Sequence, residues 1–185
     1  MKRRRDGTLT GGTGDVSPQW MSFVATQSAA DTTTTTTQAI PVQRLPTGGK
    51  AQVMEVLKVW FASTQLPASA SAAETTDLLE CFLSTSSFGT TNTSLSEPRV
   101  FAADGISSRS AFTAAGTYFS QLQPSVRQYD LTDGAGHGVL IATDNIFAQV
   151  SSTATGNTNL FRIKILYRWK NIPLQEYIGI VASQQ

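Results

Sequence analysis

The chain of 185 residues contains one cysteine and one histidine. Cys81 alone cannot build an internal disulfide framework, and Cys81 with His137 falls short of the four ligands a structural zinc takes. No oxidising compartment and no cofactor is therefore expected. Charge is scarce as well: Asp, Glu, Lys and Arg make up 15% of the chain, against roughly a quarter in ordinary soluble domains. No apolar run reaches the ~20 residues of a membrane-spanning helix. The segment after the basic start is rich in Thr and Gly, so neither a membrane partner nor a signal peptide is expected. Paired carboxylates, metal-ligand clusters and a nucleophile with its base do not emerge, which argues against an enzyme. "GAGHG" at 134–138 and "TGGK" at 47–50 lack the sequence and the following helix that a phosphate-cradling loop needs. His137 reads as an exposed or interface residue, and Cys81 as a small buried apolar one.

What is present points to strands. Hydrophobic residues form 40% of the chain, enough for a real core in one domain. The clearest stretch is "NLFRIKILYRWKN", residues 159–171. Phe161, Ile163, Ile165, Tyr167 and Trp169 alternate with Arg162, Lys164, Arg168 and Lys170, which predicts a strand with one apolar and one cationic face. Further strands are expected at 20–27, in a Thr-rich edge segment interrupted by Pro41, at 51–64, and at 124–132. Residues 51–64 are apolar on both faces except for Glu55 and Lys58, so the face turned away from the core needs a second cover. Residues 72–83 fit a helix or a strand, and strand is favoured. Residues 97–119 read as a connector or short helix. The last third reads as one long strand at 137–152, a turn around Gly156, a returning partner that completes a hairpin, and after Pro173 a final strand in "QEYIGIVASQ". About eight strands without βαβ alternation give an all-β fold, a two-sheet antiparallel β-sandwich of the single jelly-roll type.

Formal net charge is only +1, but it is unevenly placed. Lys2, Arg3, Arg4 and Arg5 form a block followed by glycines, which predicts a basic, flexible N-terminal arm over residues 1–16 ahead of a shell domain at 17–185. Such an arm suits a phosphate backbone, and the tetrad also resembles a nuclear-import signal. The cationic face of 162–170 has two expectations: contact with nucleic acid, or pairing with carboxylates such as Glu55 or Glu176 or with a neighbouring subunit. Trp60 and Trp169 read as core or interface residues, whereas Trp20 is open to stacking on a base. Asp130, Asp133 and Asp144 offer oxygen ligands to a hard cation, but turn capping accounts for them more simply.

"LTGGTGDVSPQW", "AQVMEVLKVWF", "DGAGHGVLIATDNIFAQV" and, most specifically, "ILYRWKNIPLQEYIGIVASQQ" carry a resemblance to the capsid proteins of small circular Rep-encoding single-stranded DNA (CRESS-DNA) viruses. The resemblance implies a jelly-roll subunit, about sixty copies of which close a T=1 icosahedral shell around circular single-stranded DNA. It implies a virion protein, assembled in the host nucleus. The arm here is short for that group, so other cations must share in neutralising DNA. Outward apolar residues at Val53, Val56, Trp60, Tyr177, Ile178 and Ile180 are expected to be buried between copies. A lectin-like carbohydrate-binding module is the alternative, though the basic block does not suit it.

Overall fold

In the computed structural model the described residues are 17–41, 49–63, 75–91, 93–112, 118–120 and 126–184. The basic arm lies outside them, as does the "TGGK" lysine's approach at 47–48. Ten strands and one helix are described: β1 (Gln19–Thr26), β2 (Thr33–Ala39), β3 (Lys50–Ser63), β4 (Thr75–Ser84), β5 (Val100–Phe112), β6 (Tyr118–Ser120), β7 (Arg127–Asp130), β8 (Val139–Ile141), β9 (Asn145–Thr153), β10 (Leu160–Pro173) and α1 (Leu174–Gln184).

They form two antiparallel sheets. One has the order β1-β10-β3-β7, with β8 also paired to β3; the other has the order β2-β9-β4-β5-β6. Most connections cross from one sheet to the other, which is the jelly-roll arrangement of two interleaved Greek keys. With β7 and β8 sharing one flank of β3, and β6 a short addition to β5, eight strand positions remain, as the sequence suggests.

The core lies between the sheets. Phe161, Ile163, Ile165, Tyr167 and Trp169 of β10 all enter it, with Met54, Val56, Val59 and Phe61 of β3 and Leu79, Cys81 and Leu83 of β4. Phe61 meets Phe161 and Tyr129 edge to face, with ring centroids 6.2 and 5.7 Å apart, an arrangement favoured by the ring quadrupoles. Cys81 is fully buried, and burial pushes its thiol well above the ordinary value, so it behaves as an inert apolar filler. In β3 the inward parity changes from Met54 and Val56 to Val59 and Phe61, because the register against β10 shifts between Leu166 and Tyr167. Such a bulge inserts one residue and bends the strand.

Four expectations are corrected. Residues 97–119 hold β5, a long strand rather than a connector or short helix; it pairs along β4 with Cys81 opposite Asp104. Its inward positions are Ala102, Asp104 and Ile106, too small and too polar to show an apolar alternation. Residues 137–152 are two strands in different sheets, because the chain turns a corner at 142–144. The core parity slips there, from Ile141 to Ile146, Ala148 and Val150. β9 and β10 are consecutive but not a hairpin: β9 pairs with β2 and β4, β10 with β1 and β3. The loop between them, with Ala154 and Gly156 at positive φ, is tied instead to Asp31, which accepts from Thr155 N at 2.8 Å and Gly156 N at 3.3 Å.

The fourth correction is the most consequential. "QEYIGIVASQ" is not a strand but helix α1. Pro173 ends the ladder, Glu176 sits favourably in the first helical turn, and Tyr177, Ile180 and Val181 pack at helical spacing on Val53, Ala142 and Ile172. Gln184 closes the contact: its Nε2 donates to Leu140 O at 2.6 Å and its Oε1 accepts from Ala142 N at 3.0 Å. The side-chain amide thus takes the place of a neighbouring strand's peptide group along β8.

Candidate nucleic-acid interface

The outer face of the β1-β10-β3-β7 sheet is built in rows across the strands. One row holds Val24, Arg162 and Ala62, the next Ser22, Lys164, Trp60 and Gln128, and the next Trp20, Leu166, Lys58 and Asp130. Beyond the bulge, Arg168 stands beside Glu55 and Lys170 beside Val53. Alternation within β10 therefore places Arg162, Lys164, Arg168 and Lys170 on one face, as expected from the sequence.

These cations have two different fates. Glu55 is fully buried and lies between Arg168 Nε, with which it forms a very short ion pair, and Lys170 Nζ at 3.2 Å. Gly138 N also donates to Glu55 Oε1 at 3.1 Å, and Arg168 Nη2 donates to Gly136 O at 3.0 Å. Burial alone would raise the Glu55 carboxyl, but donation from Arg168, Gly138 and Lys170 outweighs it and holds the carboxyl below its ordinary value. The "GAGHG" loop is thereby fastened onto the sheet. Gly138 is required there, since a Cβ at that position would stand 2.0 Å from Val56 O. Arg168 and Lys170 thus take the carboxylate-pairing role rather than an open nucleic-acid surface. Lys58 is likewise paired, with Asp130 at 2.8 Å; that hydrogen bond, with those from Thr132, lowers the Asp130 carboxyl to about 2.

Arg162 and Lys164 are exposed, and neither forms an ion pair among the described residues. Lys164 Nζ instead lies 4.3 Å from the centre of the Trp20 ring, a cation–π contact. Trp20 from β1 and Trp60 from β3 reach across β10 and meet with centroids 5.0 Å apart at 50°. Together they line a pocket of about 590 Å³ that also takes in Val24, Val126, Arg162 and Lys164. Trp169, by contrast, is a core residue against Tyr167.

The interface expectations divide in the same way. Val53 and Val56 are fully buried inside one chain, Val56 in the main core and Val53 under α1, so neither is left to be covered by a copy. Tyr177 and Ile180 lean on the sheet, and Trp60 is half-buried under Trp20. Ile178 remains 60% exposed and Leu174, one turn earlier, 41%. The sequence reading missed Leu174 because the final strand was expected to begin at Gln175; α1 begins at Leu174, and its spacing of four sets Leu174 and Ile178 one turn apart on one side.

Asp130, Asp133 and Asp144 are not gathered into a cation site; among the described residues no group of three or more metal-ligating side chains occurs. Asp130 accepts from Thr132 N, and Asp133 accepts from Ala135 N and His137 N, so both cap turns. Asp144 lies at the β8–β9 corner, where its carbonyl accepts from Ile40 N. His137 is exposed in the same loop, 3.6 Å from Asp133. Among the described residues no helix is long and apolar enough to cross a membrane.

No protein-family model matches the chain, and no curated protein is similar to it. Among solved structures it is similar to the VP1 of Trichodysplasia spinulosa-associated polyomavirus in complex with sialylated precision glycooligomers, at a TM-score of 0.54 and 10% identity over 88% of this chain and 97% of that one. The VP1 of Merkel cell polyomavirus in complex with disialyllactose follows at a TM-score of 0.44 and 8% identity, covering 88% and 98%. At such identities the first likeness establishes the shared fold: this chain has the jelly-roll architecture of a viral VP1.

Proposed function

We propose that the chain is a viral capsid subunit that assembles with copies of itself into a small shell. The observation that supports this best is the full two-sheet jelly-roll order, matched over 88% of the chain by a polyomavirus VP1. The resemblance of "ILYRWKNIPLQEYIGIVASQQ" to CRESS-DNA capsid proteins extends the proposal to a T=1 particle of about sixty copies around circular single-stranded DNA. In that particle the Lys2–Arg5 block engages the genome without regard to sequence, and the protein resides in the virion after assembly in the host nucleus. Contacts between copies use the free side of α1, where Leu174 and Ile178 form an apolar pair that nothing in the described chain covers.

Size-exclusion chromatography with negative-stain microscopy tests the proposal: hollow megadalton particles are expected, and a monomer at high concentration overturns it. Ile178→Asp should leave small oligomers in place of particles. Neutralising Lys2 to Arg5 should spare the shell while lowering the nucleic acid it retains. A lectin-like module is the second reading, favoured by the tryptophan-lined pocket; a monomer that binds glycans would select it.

A further inference from the structure

The open end of the outer sheet face has features that the shell alone does not need. Of the six large apolar side chains exposed among the described residues, three gather here: Trp20 at 52%, Val24 at 47% and Val126 at 67%. Isolated exposed apolar residues are ordinary, but a cluster around a concavity marks a binding site. The pocket volume of about 590 Å³ falls in the range of small-molecule sites. Its chemistry is that of aromatic faces beside positive charge. Every other cation on this face, Lys58, Arg168 and Lys170, has a carboxylate partner, whereas Arg162 and Lys164 have none among the described residues. They stand two residues apart along β10, about 7 Å by strand rise.

We propose that this pocket binds single-stranded DNA, one base lodged against the Trp20–Trp60 pair and successive backbone phosphates on Arg162 and Lys164. Stacking on aromatic rings combined with a cationic track is how proteins hold single strands without sequence preference, since every base has a π-face. A base inside a duplex is not free to enter such a pocket. The chain's own Lys2–Arg5 block is excluded as occupant by like charge. A neutral sugar satisfies neither cation, and a glycan with one carboxylate satisfies one; a phosphate chain satisfies both. A second copy of the chain would have to supply two carboxylates. The site deepens the shell reading and rests on it for its setting: it adds two cations to the four of the Lys2–Arg5 block.

The test uses the full chain and its intrinsic tryptophan fluorescence, with Trp20 and Trp60 as reporters and Trp169 a constant background from the core. Titration with oligo(dT) should quench the signal, and should still do so when Lys2 to Arg5 are changed to Gln. Trp20→Ala should weaken binding roughly 5- to 100-fold, and Arg162→Gln with Lys164→Gln should weaken it and flatten its salt dependence. Circular dichroism melting of all variants, of which those at Trp20, Arg162 and Lys164 alter exposed groups, checks that each remains folded. Equal quenching by inorganic polyphosphate with Trp20→Ala unchanged overturns the base site. So does quenching by sialyllactose and not by oligo(dT), or loss of assembly in Trp20→Ala with DNA affinity intact. Particles that retain the same nucleic acid in all pocket variants sink the pocket and leave the shell proposal standing. Quenching by oligo(dT) in a protein that never forms particles does the reverse.

Discussion

Both ends of the outer face of the β1-β10-β3-β7 sheet carry basic residues from the same strand and apolar residues from its neighbours, yet they finish differently. At the end beyond the bulge, Glu55 neutralises Arg168 and Lys170, the 134–138 loop lies over the ion pairs, and α1 covers Val53 and Ile172. At the other end Arg162 and Lys164 have no ion-pair partner among the described residues, and Trp20 and Val24 face out. The difference comes down to one buried carboxylate and one helix. Where the chain supplies both, the face becomes interior; where it supplies neither, the face stays exposed. Periodicity along a strand states which side chains share a face, and the cross-strand neighbours decide what that face is for.

Glu55→Ala should have the largest effect on the covered end. It strands two cations whose side chains are only 21% and 25% exposed, and should cost about 3 kcal/mol in urea unfolding, at the lower end for a broken buried pair. A loss below about 1 kcal/mol would mean that the network does not hold the covered end together. Ile172→Ala, which removes the centre of the α1 contact, should cost about 2–3 kcal/mol with a matching loss of helical circular dichroism. Gly138→Ala should cost about 2 kcal/mol, because the new methyl meets a backbone carbonyl that must move. Gly134→Ala, in open space at φ +81°, should cost about 1 kcal/mol through backbone conformation alone.

The pH dependence separates the ends more finely. Glu55 has a depressed folded-state pKa, so its stabilisation is complete above the unfolded value near 4.5 and is lost as pH falls through the folded value. The stability gap between the native chain and Glu55→Gln should therefore be full at neutral pH and close under acid. Urea midpoints across that range measure it, and a gap independent of pH contradicts the assignment. Trp20→Ala, at the open end, should change the same midpoints by less than about 1 kcal/mol at any pH, while altering oligo(dT) binding.

Much of this was legible in the residues. The alternation in 159–171 placed all four cations on one face and all five apolar side chains in the core. The double apolarity of 51–64 signalled that the outer face needs a cover. The identity of that cover was not legible, because "EYIGIV" satisfies strand and helix spacing alike and its β-branched residues favour the strand reading. Only packing against Val53 and Ile172 selects the helix. β5 was hidden for the opposite reason: its inward Ala102 and Asp104 lack the apolar signature, and Asp104 is tolerated in the interior because Arg127 and Tyr129 both donate to it at 3.0 Å. The tryptophan pair could not be seen in advance either, since Trp20 and Trp60 belong to strands that touch only β10 between them.

Among the described residues β1 has a single ladder partner, β10, and Tyr167 donates to Gln19 across a separation of 148 residues. A ribosome delivering this chain thus releases its first strand long before the one that can receive it. Loop closure over such a span is slow and costs entropy before any contact repays it. For that interval Met21, Phe23 and Ala25 lack the strand they pair with, and an unpaired edge of this kind is open to mispairing between neighbouring copies.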